Sequence, residues 1–266
     1  MSTIAHRALA STKTAVRRAL PEHVVMHLEA ADQWLNGEPE LRLLPKLCDR
    51  SRAALDVGAN VGTYVYFMRR YAAEVIAFEP NPTLATRLSR LFPKVTVRPI
   101  GLHDHADELV LRVPVHDGRS MHELGSVTQG FEEENDVVAY TVPVGRLDAE
   151  VPADLPVGFI KIDVEQAEMA VLRGAMGTIA RHRPAIMTEV TPLLYPEPLP
   201  AMFRPITDLG YRGYFIYRNE VWSFDQFDPS RHASAAGWPH DFMDANVILL
   251  PRERDPAAVF GSRYRR

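Results

Sequence analysis

The sequence predicts an α/β protein with a Rossmann-like, mostly parallel sheet and helices on both of its faces, and three observations support this. From residue 53 onward, short apolar runs alternate with segments of helical period, as strands buried on both faces and their crossover helices do. The first run leads through a turn, LDVGANVG (Leu55 to Gly62), straight into a helical stretch. The chain has 266 residues and is 46% hydrophobic, enough to bury one substantial core.

At the N-terminus, the first 21 residues carry Arg7, Lys13, Arg17 and Arg18 and no acid. Ile4, Leu9, Val16 and Leu20 are spaced for an amphipathic helix, read as lying on the domain rather than as a transit peptide or a membrane-surface helix. Pro21 breaks that helix before a second one from His23 to Leu35. Residues 1–45 are therefore expected as a helical segment packed on a main domain of 46–255, with 256–266 as a polar tail that frays. Cys48, the single cysteine, cannot form an internal disulfide and reads as the inert end of a packed helix.

Strands are expected at Ala53 to Val57, Val75 to Phe78, Val95 to Ile100, Phe159 to Ile162 and Ala185 to Thr188. Between them, Gly62 to Tyr71, Thr83 to Phe92 and Glu168 to Ile179 carry apolar stripes three or four residues apart, the mark of helices packed on the core. An insertion over 105–145 interrupts the alternation. Within it, 109–113 and 137–142 alternate like an antiparallel pair, and the Gly-, Ser- and His-rich piece between them reads as a substrate loop. After Pro200 come a helix to Leu209, a strand at 211–217, a loop rich in Asp, His and Trp, and an antiparallel last strand at 245–250.

A formal charge of -4 and a pI near 6.2 give no general attraction to nucleic acid, so none is expected as a partner. No run approaches the ~20 apolar residues of a membrane span, and no apolar signal core follows the first charges. The reading is a cytoplasmic protein with no stable membrane insertion, for which a homodimer stays open.

The turn after the first strand fits a nucleotide ligand. Gly58 and Gly62 would let the backbone approach closely, and Asp56 at the strand end offers an acceptor to an ammonium group. A dinucleotide fingerprint would need glycines at 60 and 63, where Asn60 and Thr63 stand. Amine plus carboxylate describes the methionine end of S-adenosylmethionine. Glu79, ending the second strand in AFEP, falls where an acid hydrogen-bonds a ribose diol, and Asp104, in the turn after the third strand, where one could accept from an adenine amino group. The expected cofactor set is therefore Asp56, Gly58, Asn60, Gly62, Glu79 and Asp104.

These residues resemble the FkbM-type methyltransferases, a family of S-adenosylmethionine-dependent O-methyltransferases. The matching pieces are LDVGANVGTY, VIAFEPNP, the IGLHD turn and FIKIDVEQAEMAVLRGA, which with the strand containing Glu189 span roughly 50–190. The chain departs from the family at Gln166, where a glycine is typical. The resemblance implies a class I methyltransferase fold and methyl transfer to a hydroxyl of a sugar, oligosaccharide, glycolipid or related natural product, that is, a small-molecule or saccharide acceptor.

Such a reaction needs an aligned hydroxyl and a way to take its proton, either a protein base or a divalent ion. Asp163 and Glu189 end the fourth and fifth expected strands, and together they are candidate Mg²⁺ ligands and catalytic acids. They resemble the acidic ligands of catechol-type O-methyltransferases; alternatively Asp163 orients the cofactor and Glu189 pairs with an arginine. Lys161 shares a strand face with Asp163 and could neutralise it, while Glu165 and Glu168 suit the start of the next helix. His122, in the insertion, is the preferred general base, with His103, His105, His116 and His240 as competitors. Trp222, Phe224, Phe227 and Trp238 could stack on a sugar ring or belong to the C-terminal core, and Asn246 is a further edge residue. Two rivals remain: an NAD-dependent oxidoreductase, and a catalytically silent scaffold that binds a partner through the insertion.

Overall fold

The structure, a computed structural model, describes residues 20–116, 119–120, 137–164, 166–191, 195, 197–232 and 245–265. The chain lays down β1 (Ala53–Val57), β2 (Glu74–Phe78) and β3 (Thr96–Arg98). It then detours through β4 (Gly101–Leu102), β5 (Asp107–His116), β6 (Arg119–Ser120) and β7 (Val137–Gly145). It returns with β8 (Val157–Ile162), β9 (Ala185–Val190), β10 (Tyr211–Tyr217), β11 (Glu220–Ser223) and β12 (Ala245–Pro251). The main sheet has the order β11-β10-β12-β9-β8-β1-β2-β3. Its pairs from β3 to β9 are parallel, whereas β12 runs antiparallel to both β9 and β10. Strand order reverses between β1 and β8, the switch point at which open α/β sheets hold ligands beyond their carboxyl ends.

β1 and β8 are buried at every position, because helices cover both faces. On one face, α1 (Glu22–Asn36), α2 (Leu44–Leu47), α3 (Thr63–Met68) and α4 (Pro82–Leu91) pack Met26, Leu44, Phe67 and Leu88 with Ala54, Phe159 and Met187 of the strands. On the other, α5 (Leu147–Glu150), α6 (Glu168–Gly174) and α7 (Met176–His182) pack Leu147, Leu172 and Ile179 with Leu55, Ile160 and Ile186. The period-2 alternation of the strands thus feeds two separate cores. Asn81 starts α4 as its cap, Oδ1 accepting from the Thr83 N–H at 3.0 Å, with Pro82 next, where a missing N–H costs nothing.

Four elements differ from the sequence expectation. The strand expected over 95–100 stops at Arg98, and Gly101–Leu102 turns away to pair with β7, opening a second sheet of order β4-β7-β5-β6. The single helix expected over 168–179 is two helices, because Asp148 from α5 accepts from the N–H groups of Gly177 and Thr178 (2.9 and 2.7 Å) and caps a fresh start. The loop after β10 contains β11, paired antiparallel with it. Beyond Pro251 the chain does not fray: a helix at Pro256–Phe260 buries Val259 and Phe260, and the Arg265 N–H donates to Val221 O at 2.9 Å. The antiparallel insertion pair is present, with Leu109 opposite Val142 and Val113 opposite Val138. Among the described residues no helix is long and apolar enough to cross a membrane.

Candidate functional site

The turn after β1 is shaped by backbone contacts. Gly58 has φ +79°, and a Cβ there would lie 1.8 Å from the Asp163 carbonyl oxygen, so only glycine lets this turn close on the end of β8. The N–H groups of Gly58 and Ala59 both donate to Phe78 O, at 3.0 and 3.1 Å, tying the turn to β2. Asn60 follows at φ +50°, a region asparagine tolerates, and its N–H donates to Glu79 Oε2 at 2.8 Å. The other Glu79 oxygen accepts from the Asn81 N–H at 2.9 Å. One carboxylate therefore clamps the loops after β1 and β2 together. Burial raises its pKa, against the pull of those two N–H groups.

Gly58, Asn60, Glu79 and Asp163 line a cavity at this edge, together with Asn81 and His103. Its apolar side comes from Ile100 and Leu102 and from Leu109, Leu111 and Val144 of the second sheet. The insertion thus roofs the cavity with its hairpin. That contribution was not assigned from the sequence, although the alternation marking Leu109 and Leu111 as one face was the available signal.

The other expected cofactor residues are placed differently. Gly62, at φ +91°, does not line the cavity: a Cβ there would lie 2.6 Å from Leu88 and 2.7 Å from Phe92, so its glycine is needed for packing α4. Asp104 is also outside the lining, its carboxylate bonded instead to His103, His105 and Arg173. Asp56 is fully buried beneath the turn and, like Gly62 and Asp104, is not among the residues lining the cavity. Burial pushes its pKa up to about 7, opposed by the charge of Lys161.

At the neighbouring edge Lys161 Nζ donates to Asp163 Oδ2 at 2.9 Å and lies 4.5 Å from the centre of the Tyr64 ring. Burial alone would depress this ammonium, but Asp163 and Asp56 outweigh it and its pKa ends above the ordinary lysine value. The Tyr64 hydroxyl donates to Glu38 Oε2 at 2.5 Å, so the segment after α1 reaches this cluster. Asp163 directly follows β8 and Glu189 lies near the end of β9, and among the described residues neither belongs to a group of three His, Cys, Asp or Glu ligand atoms. Glu189 pairs across the sheet with Asn246.

Glu168 is buried and held near a pKa of about 7 by that burial, with the Gln166 N–H donating to it at 3.0 Å. Gln166 itself has φ +72°, the left-handed region that glycine adopts freely. Trp222, Phe224 and Phe227 pack against the core. Cys48 caps α2, and burial pushes its thiol up to about 12, so it stays protonated. His122, Glu165, Trp238 and His240 lie outside the described residues, as does the side chain of His116.

The family model of the methyltransferase FkbM domain matches residues 56–213, more than half of the chain. The chain belongs to the FkbM methyltransferase family. The matched span runs from Asp56 to Gly213 and so contains the clamp, the cavity, the insertion and the Lys161 cluster. Among solved structures, the chain is similar to a methyltransferase FkbM from Methylobacillus flagellatus KT (19% identity, 91% of this chain and 59% of that one, TM-score 0.46). It is also similar to a TehB-like SAM-dependent methyltransferase from Corynebacterium glutamicum (10% identity, 91% of this chain and 98% of that one, TM-score 0.43). A third is an rRNA methylase from Streptococcus thermophilus (10% identity, 80% of this chain and 93% of that one, TM-score 0.45). The chain thus spans 59% of the length of the Methylobacillus protein. No curated protein matches it.

Proposed function

We propose that this FkbM methyltransferase is an O-methyltransferase that modifies a hydroxyl of a sugar, oligosaccharide, glycolipid or related natural product, with Asp163 taking the hydroxyl proton. The observation that carries this reading is a solvent-reachable carboxylate, Asp163, that lines the cofactor cavity and is fixed by a buried lysine at 2.9 Å.

The residues present fit the cofactor. Asp56 is a fully buried acid whose charge Lys161 offsets only in part, and the ammonium of the methionine end is a cation that would favour its ionised form. Glu79 is rigidly held by two N–H groups and keeps acceptor capacity for ribose hydroxyls. Ile100, Leu109, Leu111 and Val144 offer an apolar slot for the adenine. When bound, S-adenosylmethionine supplies an electrophilic methyl on a sulfonium. The protein's part is to align the acceptor hydroxyl, to exclude water beneath the inserted sheet, and to receive the proton at an Asp163 oxygen.

A protein base is preferred to Mg²⁺ because the Lys161 ammonium already supplies the positive charge beside Asp163. Cytoplasmic location, a small-molecule or saccharide acceptor and action without nucleic acid belong to the same reading. The test is incubation of a cell extract with the enzyme and isotopically labelled methyl donor, followed by mass spectrometry. Label in a hydroxyl-bearing small molecule or glycan supports the proposal; label confined to RNA or to nitrogen would replace it.

A further inference from the structure

We propose that His103, Asp104 and His105 form a binding site for a divalent transition-metal ion of the Zn²⁺, Co²⁺ or Ni²⁺ class, at the lip of the cofactor cavity. The site is separate from the Asp163 and Glu189 pair and does not rest on the identity of the methyl acceptor.

Three potential ligand atoms converge in this turn. His103 Nδ1 and His105 Nδ1 each lie 2.8 Å from Asp104 Oδ1, and the two nitrogens are 3.0 Å apart. With Asp104 ionised, at most two of these three contacts can be hydrogen bonds. A neutral imidazole carries one proton on one nitrogen. If both Nδ1 atoms are protonated, both donate to the same carboxylate oxygen, which crowds their two hydrogens at a nitrogen separation of 3.0 Å. If one is unprotonated, its lone pair faces the carboxylate oxygen at 2.8 Å. A cation bound to all three atoms removes the conflict. The spacing also suits one, since an octahedral ion with bonds of ~2.1 Å holds adjacent ligands at ~3.0 Å. Two imidazoles and one carboxylate favour a transition ion over Mg²⁺ or Ca²⁺.

The surroundings hold these ligands in place. Arg173 Nε donates to Asp104 Oδ2 at 2.8 Å, which orients the carboxylate and leaves Oδ1 to the histidines. The His103 N–H donates to Gly145 O at 2.7 Å. Gly174 packs so tightly beneath the turn that a Cβ there would lie 2.1 Å from the His103 carbonyl oxygen. The backbone of the turn is thus held by contacts that do not involve the three side chains. His105 is half-exposed and gives an ion access from solvent.

The experiment uses the full chain without a polyhistidine tag, stripped with chelator, and titrates Co²⁺ by visible absorption and Zn²⁺ by calorimetry. We expect one ion per chain, with His105→Ala and Asp104→Asn each weakening binding at least tenfold and His103→Ala/His105→Ala abolishing it. Thermal melting of the ion-free variants checks that they fold. Anomalous scattering from a Zn²⁺-soaked crystal should place the ion on the three named atoms. Equal binding by wild type and the double variant, no binding by wild type, or an anomalous peak elsewhere would overturn the proposal.

Discussion

The two halves of the cavity are built by different means. On the β1 and β2 side, the key carboxylate is fixed by main chain: Glu79 takes the N–H groups of Asn60 and Asn81, and Gly58 is pinned against the Asp163 carbonyl. On the β8 side, Asp163 is fixed by a side chain, the buried Lys161, which is itself surrounded by Asp56, Tyr64 and Glu38. Main-chain clamps suit a ligand that is the same in every cycle. A side-chain cluster sets charge and can be re-tuned for a particular acceptor.

This contrast predicts separable losses. The largest is in turnover: Asp163→Asn should lower kcat by about 10²- to 10⁴-fold, as loss of a general base does. S-adenosylhomocysteine affinity should be unchanged and added Mg²⁺ should not alter turnover, both checked by steady-state kinetics and calorimetry. If affinity falls as far as kcat, the two halves are one unit and the contrast fails. Next is Glu79→Ala, expected to weaken S-adenosylhomocysteine by about 30- to 100-fold, the ~2–3 kcal/mol of a hydrogen-bonded charged group. Isothermal titration measures it, and equal binding by variant and wild type would remove Glu79 from the ribose.

A smaller effect should follow pH. The Asp56 pKa is raised from 3.8 to about 7 by burial, so the group is neutral well below that value and anionic above it. An ammonium ligand prefers the anion, and S-adenosylhomocysteine affinity should therefore rise as pH goes from about 6 to about 8, an increase that Asp56→Asn removes. In the ligand-free protein the sign is opposite. The folded state holds this proton more tightly than the unfolded one, so the stability contributed at low pH is lost as pH climbs from about 4 through about 7. Glu40 and Glu168, both raised to about 7 by burial, act in the same direction; with Asp56 they outnumber the two histidines, His182 and His232, that burial lowers and that act against it. Thermal melts of the ligand-free protein at pH 5 and pH 8 read this out, and a higher melting temperature at pH 8 would contradict it. The smallest effect is expected at Gln166, whose left-handed backbone costs ~1–2 kcal/mol for a side chain. Gln166→Gly should stabilise the protein by about 0.5–1 kcal/mol, after the added freedom of the unfolded chain is subtracted.

The sequence made the parallel strands legible and picked out Gly58, Asn60 and Glu79, because apolar runs of strand length and an acid or glycine at a strand end are local signals, but it did not show the hydrogen bonds by which Glu79 joins the two loops. It also showed the insertion as an antiparallel pair. It did not show that Leu109, Leu111 and Val144 close the cavity, since that depends on how a second sheet turns over the first. Gly62 has a second reason to be glycine that the sequence did not show, since a Cβ there would meet Leu88 and Phe92. Asp104 was assigned to the adenine by its position alone, whereas Arg173, distant in sequence, draws it into an ion cluster. Tyr64 was read only as core, yet its hydroxyl reaches Glu38 and its ring lies under Lys161.

The central claim is that Asp56, Glu79 and the roof of the inserted sheet together make the cofactor site. A crystal structure with S-adenosylhomocysteine tests it most directly. The ribose hydroxyls should lie on Glu79, the amino-acid end toward Asp56 and the purine between Ile100 and Leu111. A ligand seated elsewhere, or a cleft that stays filled by Leu109, Leu111 and Val144 at saturating ligand, would contradict it.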